Sequence, residues 1–222
     1  MKKILAAIAL TAIMMTTSFA STACDMCGKG DPAVELRGAM QKRWADHMQW
    51  TFSTVDAFFN NQKGLQANLD RLLQNQKDIG TAIFPYYGQA AGDALAKLLT
   101  EHIQQAVPVL TAAQKNDQEG LKKALDNWYK NAQDIADFLS SANAKNWPQK
   151  EMREMMKTHI DQTTAYSVDL LKGDYAAAVK KYDEANNHMK QMGEELSMGI
   201  IKQFPAKFEK AKKPTAKSKS KK

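Results

Sequence analysis

Four histidines and a set of aspartates are the side chains of this 222-residue chain whose types and spacing could carry chemistry. His47 precedes Asp70 by 23 residues, His102 precedes Asp126 by 24, and His159 precedes Asp183 by 24. A neutral imidazole binds Zn2+ or Cu2+ through one ring nitrogen, and a carboxylate on the other nitrogen fixes which one faces the metal. Three such pairs brought to one point would form a three-histidine site with an open fourth position. His47, His102 and His159 would be its ligands, with Asp70, Asp126 and Asp183 as acceptors behind them. Kept apart, each pair would be a structural clip, since an imidazole on a core-facing stripe needs a hydrogen-bond partner. The packing of the elements that carry the pairs decides between these outcomes.

Those elements read as helices. Apolar residues recur at three- and four-residue steps. One run is Leu36, Met40, Trp44, His47, Thr51, Val55 and Phe58. Others pass through Leu95, Leu98, His102 and Ala106, through Leu121, Leu125, Trp128 and Ala132, through Met152, Met156, His159 and Thr163, and through Ala178, Tyr182, Ala185 and Met189. Polar breaks fall at 60–64, 115–117 and 172–174, and two more contain Pro85 and Pro148. No alternating strand pattern competes.

The chain also resembles itself at a period of about 56 residues. Residues 98–103 match 155–160. Leu69 and Asp70 with Asn75 match Leu125 and Asp126 with Asn131, and a degraded third copy is Tyr182 and Asp183 with His188. In an antiparallel helical hairpin, residues equidistant from the turn lie at one height. Each copy would set one His on its outgoing helix level with one Asp on its return helix, about 12 residues or roughly 18 Å from the turn. The expected fold is all-α: a six-helix bundle of three αα-hairpins over 36–83, 86–142 and 148–204, within one helical domain at 36–205.

The flanks carry different signals. Residues 1–23 have the parts of an export signal: Lys2 and Lys3, an apolar run at 4–15, then small residues before Ala20 and Ala23. The apolar run is too short to span a bilayer. The mature protein is therefore expected in the periplasm or secreted. A short segment at 24–35 follows, with both cysteines in Cys24-Asp25-Met26-Cys27. Three readings of it stay open: a local disulfide suited to an oxidising compartment, lipidation of Cys24 that would anchor the protein, or thiolates that bind a soft metal. No strand–helix–strand pattern surrounds the motif to make it thioredoxin-like, and Gly28 stands where haem attachment needs His.

The net charge of +7 lies outside the body. The segment 206–222 holds eight Lys and one Glu, Lys2 and Lys3 hold two more positive charges, and the body between comes to about −2. A nucleic-acid-binding fold would carry positive charge on the body itself, so no nucleic-acid partner is expected. The tail at 206–222 is too polar to order itself. It would serve solubility, or hold the protein to an anionic envelope surface.

Several stretches resemble a family of exported bacterial all-helical proteins of no known activity. They are His47-Met48-Gln49-Trp50-Thr51, residues 72–80, Phe84-Pro85-Tyr86-Tyr87-Gly88, residues 98–102, residues 128–140 and residues 199–205. The likeness spans about 40–205. It implies an all-helical fold, with His at the positions of His47, His102 and His159 and not at His188, and it implies no chemistry. Leu110-Thr111-Ala112-Ala113-Gln114 is similar to a signature of small periplasmic helical stress chaperones.

The chain lacks Glu-x-x-His pairs, Gly-rich phosphate loops, nucleophile elbows and His-Glu-x-x-His. The expected function is an exported helical binding or interaction protein of the cell envelope that holds Zn or Cu on His47, His102 and His159. The alternatives are a metal-dependent hydrolase at the same site, or a chaperone-like module working through an exposed apolar face.

Overall fold

The computed structural model describes residues 30–209. The export segment at 1–23, both cysteines and residues 210–222 of the basic tail lie outside the described residues. Six long helices and one short one make up the body: α1 (Pro32–Asn60), α2 (Gln62–Ala82), α3 (Phe84–Tyr87), α4 (Gln89–Gln114), α5 (Gln118–Ala142), α6 (Gln149–Lys172) and α7 (Tyr175–Gln203). A 3-10 turn at Pro205–Lys207 ends the ordered chain, and no strand occurs among the described residues. No described helix is long and apolar enough to cross a membrane.

The helix ends follow from local chemistry. Asp31 caps α1 by accepting from the Ala33 amide at 3.0 Å, with Pro32 in the first turn, where its missing N–H costs nothing. Helix α1 therefore starts four residues before the expected domain edge at Leu36.

The α4–α5 and α6–α7 turns share one design. Asn116 (φ 55°) and Gly173 (φ +75°) turn left-handed after the helix. Asp117 and Asp174 then donate their backbone N–H back to Ala112 and Asp169, each at 2.9 Å. The same two aspartates cap the next helix through Gly120 at 2.9 Å and Ala177 at 3.1 Å. The α1–α2 link differs. It is the single residue Asn61, whose N–H returns to Ala57 at 3.1 Å.

The long helices close into a ring. Each packs on its neighbour in the order α1, α2, α4, α5, α6, α7, and α7 packs back on α1. Helices α1, α4 and α6 also meet one another across the interior. Trp44, Met48, Ile79, Ile135, Ile160, Met189 and Met192 fill the core.

One end of the ring is an aromatic plug. The Tyr87 ring lies 5.3 Å from that of Phe204 and 5.8 Å from that of Trp147, while Tyr86 stacks on Phe208 at 5.7 Å. This partner holds Phe208 against the body, so the ordered chain runs past 205, where the tail was expected to begin. Gly199 permits the close approach of Trp147, since a Cβ there would overlap the indole.

A cavity closed by three histidines as the candidate functional site

The three helices that meet across the interior bring His47, His102 and His159 together. The His159 ring centroid is 5.4 Å from that of His47 and 5.7 Å from that of His102. Their exposures are 1%, 2% and 2%, so all three sit inside the core. The ring of Trp44 packs on His47 at 5.8 Å and that of Trp128 on His102 at 5.2 Å.

The aspartates behave otherwise. Asp70 is exposed and accepts from Gln66 at 2.8 Å. Asp126 is exposed and pairs with Lys122 at 2.9 Å, and Asp183 is exposed. The expected carboxylate partners are replaced by amides. His102 Nδ1 lies 2.7 Å from Asn131 Oδ1, and His47 Nδ1 lies 3.4 Å from Gln76 Nε2, each 29 residues further on.

The physical reason is the position of the turn. Halfway along 29 residues from His47, His102 and His159 lie Asn61, Asn116 and Gly173, where the helices actually reverse. Pairs at 23 or 24 residues have their midpoints short of those turns, which leaves Asp70, Asp126 and Asp183 on the outer face.

A second bond recurs beside each ring. Asn75 donates to the carbonyl of Arg43 at 3.0 Å and Asn131 to that of Leu98 at 3.2 Å, while His188 Nε2 lies 2.9 Å from that of Met155. Arg43, Leu98 and Met155 each stand one helical turn before a cluster histidine. The periodicity had already aligned Asn75, Asn131 and His188. What sequence reasoning missed is that these residues and Gln76, rather than the aspartates beside them, reach the rings and the turn below them.

The hydrogen bonds assign two tautomers. Asn131 Oδ1 can only accept, so His102 carries its proton on Nδ1 and has a lone pair on Nε2. That Nε2 is buried with no hydrogen-bond partner. Gln76 Nε2 donates to the Leu72 carbonyl at 2.7 Å, which fixes it as the amide nitrogen. Facing a donor, His47 Nδ1 is an acceptor and its proton lies on Nε2. His159 Nδ1 is also buried without a partner.

All three rings are neutral at ordinary pH. Burial first, then the proximity of His102, pushes His47 down to about 3. Burial holds His102 at about 4 against the opposing pull of Asn131. Burial, then His47, His102 and His188, sets His159 well below the usual imidazole range.

The histidines line the inner end of a cavity of about 210 Å³. From each cluster histidine the lining continues along its own helix, through Thr51 and Val55 on α1, Ala106 and Leu110 on α4, and Thr163 and Ser167 on α6. Val107 and Val168, 42% and 36% exposed, also line it, so the cavity runs from the buried rings to the surface. None of its lining residues is acidic.

Neutral imidazoles with free lone pairs are metal-ligand chemistry, yet among the described residues no three His, Cys, Asp or Glu side chains form a ready ligand set. The chain matches no protein-family model, no curated protein and no solved structure.

Proposed function

We propose that this chain is an exported binding protein of the cell envelope, that its body is one αα-hairpin written three times, and that its site is the cavity closed by His47, His102 and His159. The repeat is supported by the shared turn design of Asn116-Asp117 and Gly173-Asp174, and by the bonds that Asn75, Asn131 and His188 each make one turn below a cluster histidine. Export rests on the leader at 1–23.

The observation that carries the binding reading is an apolar cavity that reaches the surface and ends on buried ring nitrogens without partners. A cavity of about 150 Å³ lined by Leu, Ile and Phe accommodates benzene, so about 210 Å³ accommodates a one-ring or short branched molecule. The absence of acidic side chains from the lining favours binding over metal-assisted hydrolysis, which needs a general base beside the metal.

The test is thermal denaturation with and without toluene. Toluene raises the midpoint of the wild-type protein by mass action, and the cavity-filling variant Ala106→Trp, if still folded by circular dichroism, shows no rise. No rise in the wild type with toluene or any other one-ring compound overturns the reading.

One observation favours a second occupant. Asn131 leaves His102 Nε2 as a free lone pair in a cluster whose ring centroids are 5.4 and 5.7 Å apart, so a modest turn of the rings would let a Zn2+ or Cu2+ ion bind at about 2 Å from each nitrogen. Because Gln76 faces His47 Nδ1, His47 would ligate through Nε2 only after its proton moved. Metal analysis of protein purified from its native compartment tests this. Near-stoichiometric metal that His102→Ala loses supports it, and metal-free protein in both overturns it.

A further inference from the structure

The two assigned tautomers say more about an occupant than the cavity's shape does. His47 offers an N–H at Nε2, because the Gln76 amide occupies the other side of its ring. His102 offers a lone pair at Nε2, because Asn131 Oδ1 takes the Nδ1 proton, and that lone pair is buried and unpartnered in a residue 2% exposed. Both rings flank His159 and both line the cavity.

We infer that the cavity takes a small neutral molecule with an apolar body and one hydroxyl group, a phenol or an alcohol, with the hydroxyl at the histidine end. A hydroxyl is the smallest group on a carbon skeleton that both accepts and donates. Its oxygen receives the His47 proton, and its own proton goes to His102 Nε2. The inference rests on the cavity being the binding site, as proposed above.

The same arrangement sets what is rejected. A carboxylate brings no proton for His102 Nε2 and would leave that atom unpaired beside an anion in an apolar shaft. An ammonium group has no lone pair for the His47 N–H, and the lining holds no acidic side chain to balance its charge. A plain hydrocarbon fills the shaft and leaves both ring atoms unsatisfied. Sites built to bond a hydroxyl discriminate strongly against analogues without one, because their own buried groups then go unpaired.

A closely matched set of ligands tests this. Phenol and toluene have nearly the same shape, anisole accepts without donating, and benzoate is charged. Calorimetric titration of the full chain at pH 7.5 is expected to show phenol binding at least tenfold tighter than toluene, anisole no tighter than toluene, and benzoate not bound. Toluene binding with no preference for phenol leaves the cavity as a binding site and overturns the hydroxyl assignment. So does benzoate binding as tightly as phenol.

Asn131→Leu removes the acceptor that fixes the His102 tautomer. It is expected to collapse the phenol preference to within about threefold of toluene while toluene still binds. A preference that survives in this variant overturns the role given to His102. Nitrogen-detected NMR of the unliganded wild-type protein supplies a readout that needs no folded variant. It is expected to find the proton of His102 on Nδ1 and that of His47 on Nε2. Either ring in the opposite form overturns the inference.

Discussion

The side-chain oxygen of Asn131 lies 2.7 Å from Nδ1 of His102, and this contact settles what the far side of the ring can do. It does so from the return helix of the same hairpin, 29 residues away. Asn131 also donates to the Leu98 carbonyl at 3.2 Å, so the amide is held at both ends and cannot turn over without losing a bond.

Replacing Asn131 should therefore cost stability in proportion to the polar groups it strands. Asn131→Ala leaves His102 Nδ1 and the Leu98 carbonyl without partners in the core, at about 1–3 kcal/mol for a buried unsatisfied group. Urea denaturation should show a loss of about 2–4 kcal/mol with an unchanged slope, since the fold itself persists. A loss under 0.5 kcal/mol would mean that water replaces the amide at no cost.

The histidine cluster should make the protein acid-labile. Unfolded, the three imidazoles take up protons near their ordinary value of about 6.5. Folded, His47 and His102 resist protonation down to about 3 and 4, and His159 is lowered too. The unfolded state thus binds more protons below pH 6.5, and stability falls as pH falls through that window. At pH 5 the linkage is roughly 2 kcal/mol per ring, about 6 kcal/mol for three. That is comparable to the whole stability of an ordinary domain. Chemical denaturation from pH 8 to 5 should show a flat region, then a steep decline beginning near 6.5. A flat profile down to pH 5 would show that the rings protonate in place.

His188 stands where Asn131 would be if the third hairpin copied the second. Its Nε2 serves the Met155 carbonyl, as Asn131 serves that of Leu98, but His159 Nδ1 is left without an acceptor. His188→Asn can keep the first bond and offer an oxygen for the second. The expected outcome is a stability unchanged or raised by up to about 1 kcal/mol. A loss above 1 kcal/mol would argue that His188 does something its counterpart in the second hairpin does not.

Two glycine substitutions inside helices should act in opposite directions. A Cβ at Gly38 on α1 meets nothing within 4 Å. Gly38→Ala should stabilise by roughly 0.5–1 kcal/mol through backbone entropy and helix propensity. A Cβ at Gly199 falls on the indole of Trp147, which is 2% exposed and hemmed in by the aromatic plug. Overpacking there costs about 1–3 kcal/mol and outweighs the propensity gain. Thermal unfolding of the pair checks the signs.

Much of the helical frame was legible because its signals are local. The three- and four-residue recurrence through Trp44, His102 and Met156 marks buried faces, and Asn116-Asp117 and Gly173-Asp174 mark reversals by left-handed backbone and capping. The site was half legible. Imidazoles on apolar stripes pointed inward, and they meet. Their partners were misjudged because carboxylates draw the eye as histidine acceptors, while Gln76 and Asn131 carry no periodic mark of their own. A few residues' error in placing the turns moved the level position from those amides to the aspartates outside. The cavity was not legible at all. Val55, Ala106 and Thr163 have the pattern of core residues, and a void between helices depends on how far apart their axes stand.

In the closed ring, the helix that begins the body lies against the helix that ends it. Arg37 on α1 forms an ion pair with Glu194 on α7 at 2.5 Å, and Gln41 donates to the same carboxylate at 3.0 Å. This seam resembles the other helix contacts in all but the lack of a covalent link. A linker from Phe208 back to Asp31, with the chain opened between Lys115 and Asn116, would keep every helix beside its present neighbours. The order in which the helices are synthesised is then separable from the arrangement they adopt, and a permuted gene should yield the same cavity with its beginning and end at the opposite pole of the bundle.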